Sequence, residues 1–98
     1  MTIEYNKNTT TTHELINFHK ELVENSKLKV GNVVGLKGSS TGPDMVIASK
    51  KVNSRNIIQH DSKVEQLYLT YETIWFNKSI QDFKTRTFIE ESLVLITK

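Results

Sequence analysis

Val30-Gly31-Asn32-Val33-Val34-Gly35-Leu36-Lys37-Gly38-Ser39-Ser40-Thr41-Gly42-Pro43-Asp44-Met45-Val46-Ile47 reads as a strand, a glycine-rich turn and a second strand. All 4 glycines and the 1 proline of the chain fall inside it, so the special backbone requirements are concentrated at one connection. Val34 and Leu36 share one face of the first strand, and Met45 and Ile47 share one face of the second. Period-two alternation therefore turns both pairs into a common core. Val46 points the other way, and an outward apolar side chain needs a cover.

Working outward, the next strand is predicted over Leu67 to Phe76. Leu67, Leu69, Tyr71, Thr73 and Trp75 lie on one face, and Thr70 and Glu72 mark the wet one. Asn77-Lys78-Ser79 breaks the run, and Thr85 to Ile89 resumes it. Glu90-Glu91-Ser92 is a single tight turn before Leu93-Val94-Leu95-Ile96. Several short strands separated by turn signals predict a small barrel of about five strands, closed or nearly so, because closure removes sheet edges. Lys50 to Gln66 interrupts this pattern as an insertion. Its Val52, Ile57 and Ile58 fit an extra hairpin or an extended loop.

On the N-terminal side the period changes from two to 3.6. Thr11-Thr12-His13-Glu14 has the form of a capping box, and Leu15, Phe18 and Leu22 recur at helical spacing with Ile16 and Val23 widening the stripe. One amphipathic helix is predicted from about Thr12 to Asn25. A helix of about three turns is marginal alone in water, so its apolar face must pack. It either covers the barrel, Val46 included, or docks a partner. Residues 1–11 read as a flexible leader, and 12–98 as a single domain with its barrel at 28–97.

The residues from about Leu28 to Ile96 resemble the YodC-like family of small bacterial proteins. The likeness lies in Gly31-Asn32-Val33-Val34 with Leu36-Lys37, in Gly42-Pro43 with Met45, and in Trp75-Phe76 followed by Phe88 and Leu93. The chain departs from that pattern at Asn32 (usually aspartate), at Ser39-Ser40-Thr41 (a longer loop), at Val46 (usually threonine), and at the insertion. The resemblance implies an SH3-like barrel and carries over no catalytic residue. Asn32 keeps the local hydrogen-bonding shape of an aspartate without its charge.

With 98 residues there is room for one modest core and no second catalytic domain. A chain that is 37% apolar and 24% charged has the composition of an ordinary globular protein. Lysine supplies 11 of the 13 basic residues, and a net charge of +2 is no strong nucleic-acid signature. Having no cysteine, the protein makes no disulfide, thiolate nucleophile or zinc-thiolate site. The amino terminus lacks a basic region followed by an apolar run, and no transmembrane stretch is present, so a soluble cytoplasmic protein is expected.

The chemical motifs are weak. Gly38 to Pro43 has the content of a phosphate cradle but lacks the Gly-Lys-Ser/Thr ending and does not open a helix. His13 and His19 are six residues apart, on different helix faces, and His60 sits by Asp61, so no metal pair is formed. Glu90 and Glu91 have no histidine partner, and nothing pairs a nucleophile with a base. No enzyme activity, cofactor or metal is expected.

The reading is a binding or adaptor module with three partner classes. The first is another protein or a second copy, docked through Val46, Phe76 and Tyr68 or through the helix residues Leu15, Phe18 and Leu22. The second is nucleic acid, met by Lys37, Lys50, Lys51, Arg55, Lys84 and Arg86 with Tyr68 or Tyr71 stacking. The third is a small anion, such as a nucleotide signal, held by Lys37, Ser39, Ser40 and Thr41, as a sequestering protein of phage or other mobile-element origin would do.

Overall fold

The computed structural model describes residues 1–59 and 62–96. Its elements in chain order are β1 (Thr2–Tyr5), α1 (Thr12–Glu24), β2 (Val33–Leu36), β3 (Met45–Gln59), β4 (Ser62–Asn77), β5 (Asp82–Ile89), a 3₁₀ turn (Glu90–Ser92) and β6 (Leu93–Leu95). The protein is mainly β with one N-terminal helix, as expected. The strands form one sheet in the order β1-β4-β3-β2-β6, with β5 also on β4. This differs from the expectation in two ways: the described residues form six strands rather than about five, and their sheet is open, so edges remain. His60 and Asp61 lie outside the described residues.

The chain divides into two compact units, Met1–Ser26 with Val52–Leu69, and Lys27–Lys51 with Thr70–Lys98. In the first, Ile3 pairs with Leu67 and Tyr5 with Glu65 on antiparallel β1 and β4. The leader expected at 1–11 is thus partly a strand: Thr2 and Ile3 pair with Tyr68 and Leu67 at the start of the strand expected from Leu67, and Glu4 and Tyr5 with Gln66 and Glu65 of the segment read as an insertion. The described residues of that insertion, 50–59 and 62–66, are not a loop; they extend β3 and β4. Helix α1 starts at the predicted cap. The Glu14 amide donates to Thr11 Oγ1 at 3.2 Å, and the Thr11 amide donates back to Glu14 Oε1 at 3.4 Å. The helix packs against β1, with the Phe18 and Tyr5 ring centroids 6.2 Å apart. Leu22 and Leu67, each 2% exposed, form the centre of this unit's core. Ile16 and Val23 do not widen the buried stripe, since both are exposed.

In the second unit β2 pairs antiparallel with β3 (Val34↔Met45) and with β6 (Leu36↔Leu93). Val34, Met45, Ile47, Tyr71 and Thr73 are fully buried, confirming the alternation read from both strands. Trp75 and Leu36, expected in this core, are only half-buried, and Tyr71 is its central aromatic. The Tyr71 hydroxyl donates to Glu90 Oε1 at 2.7 Å and lies 3.4 Å from the Leu28 amide, while the Lys27 amide donates to the same carboxylate oxygen at 2.7 Å. Thr70 belongs to the expected wet face yet is buried, with Oγ1 donating to the Lys51 carbonyl at 3.3 Å. Asn32 makes the turn expected of it: Oδ1 accepts from the Lys29 amide at 2.8 Å, beside Gly31 at φ +92°.

Candidate interaction surface

The β4–β5 ladder runs unbroken from Thr70↔Ile89 to Asn77↔Asp82. Paired residues share a face, so Ile74 with Thr85 and Phe76 with Phe83 fall on one side, and Thr73 with Arg86 and Trp75 with Lys84 on the other. Thr73 Oγ1 lies 3.6 Å from Met45 Sδ on the buried side, which puts Val46 outward on the same face as Ile74 and Phe76.

Phe76 is 50% and Phe83 63% exposed, and their rings meet edge to face with centroids 5.3 Å apart. Such an arrangement suits the ring quadrupoles. Ile80, exposed in the connection between β4 and β5, extends the apolar end, and Ile89 and Val94 are further exposed apolar residues of the unit. Phe76 is therefore exposed rather than covered by the helix or the insertion. Val46, at 40% exposed, also lacks full cover. Sequence reasoning missed Phe83, because the strand is expected to resume only at Thr85, whereas β5 starts at Asp82. Extending the alternation of Thr85, Thr87 and Ile89 back by one step would have found it.

Leu22 is buried, Leu15 and Phe18 are half-buried, and Phe18 faces Tyr5. In the same unit burial, then the Glu65 carboxylate opposite, raises the pKa of the Tyr5 phenol above its usual value. Tyr68 is not an open stacking platform, because the Arg55 guanidinium sits 4.9 Å from its ring centroid. Arg55 Nε donates to Gln66 Oε1 at 2.6 Å, and Gln66 Nε2 reaches Glu4 Oε1 at 3.4 Å. Arg55 is thus committed inside its own unit. Tyr71, the other proposed stacking ring, is fully buried.

Lys37, Ser39 and Arg86 line a shallow depression together with Phe88 and Glu91. Arg86 lies over the Phe88 ring at 5.5 Å. Glu91 opposes anion binding at this spot. Ser39 spends its hydroxyl oxygen accepting the Gly42 amide at 3.1 Å, so the loop satisfies itself rather than opening toward a phosphate. Ser40 and Thr41 are exposed, Lys51 and Lys84 are exposed, and Lys50 is half-buried. The loop's left-handed residue is Gly38, at φ +81°, not Gly42. Gly38→Val should cost about 1–3 kcal/mol through backbone strain. A urea titration that shows no loss would refute this assignment of the turn.

His13 and His19 are both exposed on α1, and no cluster of three or more metal-ligating side chains occurs among the described residues. None of the helices among them is long and apolar enough to cross a membrane. No family model, curated protein or solved structure matches the chain.

Proposed function

We propose that the protein is a non-enzymatic binding module that docks a protein partner through the exposed aromatic end of the β4–β5 pair. The observation that carries this reading is the Phe76–Phe83 pair, two large rings in contact with each other and half or more in solvent. Exposed aromatic clusters of this kind mark interaction sites, because they offer a large apolar contact at little cost in side-chain ordering. The nucleic-acid reading has less support, since Arg55 and Tyr68 engage each other and Tyr71 is buried.

A photo-crosslinking side chain in place of Ile80, carried by the full chain in cells, tests the reading. Protein adducts should form and be lost in Phe76→Ser and Phe83→Ser, with partner affinity falling about 30-fold or more for a central aromatic anchor. Lys50→Glu with Lys51→Glu should leave the adducts unchanged. Adducts made of nucleic acid, or adducts abolished by the lysine changes alone, would overturn the proposal. An adduct that is a second copy of the chain identifies self-association as the mode.

A further inference from the structure

We infer that the free edge of β5 is a strand-addition site for an extended peptide segment that alternates acidic and apolar residues. This rests on the docking reading above and names the chemistry of the partner. β5 has 8 residues and, among the described residues, pairs on one side only, with β4. In an antiparallel ladder alternate residues bond to each neighbour, so half of the β5 amides and carbonyls point away from β4. Every β5 residue except Phe88 is exposed. The strand has no proline, and the unbroken register with β4 leaves no bulge to disrupt its edge.

Charge selects the occupant. Lys84 and Arg86 stand on one face at i and i+2, while Phe83 and Ile89 stand on the other. A second copy of β5 is a poor partner. Two-fold antiparallel registers centred on Thr85 or Arg86 set Lys84 against Arg86, or Arg86 against itself, and like charges directly opposite destabilise a pair. An acidic strand reverses the sign. Its carboxylates fall opposite Lys84 and Arg86, and its intervening apolar side chains continue the surface of Phe83 and Phe76. Lys37, across the depression from Arg86, adds a third cation, whereas Glu91 disfavours an acid at the Phe88 end. Main-chain bonds give affinity and the two faces give sequence preference, which is the logic of strand-addition recognition generally.

The probe is a capped eight-residue peptide alternating Glu and Val, titrated into the full chain and followed by backbone amide NMR. Three controls accompany it: a peptide of the same composition with all acids in one block, and two forms N-methylated at alternate residues on one or the other edge. The expected result is amide shifts confined to 82–89 and their strand neighbours, binding lost with one N-methylated form and kept with the other, and weak binding of the block peptide. Lys84→Glu with Arg86→Glu should weaken the acidic peptide about tenfold or more in low salt and confer binding of the Lys/Val counterpart, which also certifies that the variant is folded. Equal binding of the block peptide, indifference to N-methylation on both edges, or shifts away from β5 would overturn the inference. If adducts at Ile80 persist while the peptide fails, docking stands and strand addition falls. If the peptide binds while Phe76→Ser and Phe83→Ser leave the adducts unchanged, the reverse holds.

Discussion

Tyr71→Ala should cost about 3–5 kcal/mol, enough to unfold most of a marginally stable unit. Two losses combine. A fully buried ring is removed from the core that also holds the buried Val34, Met45 and Ile47, leaving a cavity that the paired strands cannot collapse without breaking their ladders. The hydroxyl that meets Glu90 is lost as well, so that carboxylate oxygen keeps the Lys27 amide without the Tyr71 donor. Tyr71→Phe separates the two effects: it keeps the ring and should cost only about 1–3 kcal/mol for the polar groups left behind. Denaturant titration with amide exchange at Val34, Met45 and Ile47 measures both. Equal stability of all three proteins would contradict Tyr71 as the centre of this core. Trp75→Ala should cost less than Tyr71→Ala, since Trp75 is only half-buried.

Leu22→Ala is expected to be the most damaging change in α1, at about 2–5 kcal/mol. Leu22 is 2% exposed and sits in a helix of 13 residues that depends on packing to persist. Ile16→Ala, six residues earlier on the exposed side, should stay within about 0.5 kcal/mol. Both side chains belong to the same apolar pattern, so the contrast tests which of them faces the sheet. Amide exchange along α1 and at Leu67 and Leu69 is the measurement. Comparable losses from the two substitutions would mean that the helix packs on a different face.

The helix was readable because both its signals are local: a capping box spanning four residues and an apolar stripe within three turns. The inner faces of β2, β3 and β4 were readable for the same reason, since alternation needs only neighbours. What failed needed distant partners. Thr2 to Tyr5 alternates, but four residues commit to a strand only when Glu65 to Tyr68 lies beside them, and the Glu65-Gln66 half of that partner is polar enough to pass for a loop. Tyr71 and Trp75 share a face, so alternation ranked them equally. Which ring is central depends on where the flanking strands end. Composition located the glycine-rich turn but not its left-handed residue, because only the path of the backbone distinguishes Gly38 from Gly42. Val46 and Phe76 are turned outward, as alternation implied, but they are exposed where a cover was expected, whereas the basic residues were chosen by type. Type says nothing of a neighbour such as Tyr68 that occupies a guanidinium.

The position of β6 against β2 has a consequence for how the chain is made. Val34 and Leu36 face Leu95 and Leu93 across that pairing, so the strand that begins the second unit waits for the strand that ends it. On the ribosome, β3 and β4 emerge and can pair with their neighbours while one margin of β2 still lacks its hydrogen-bonding partner. Until residues 93–95 are free of the exit tunnel, an apolar strand edge stands open to other nascent chains, and long-range closure of this kind is slow. The codons for residues 93–95 thus govern how long the β2 edge stays open during synthesis.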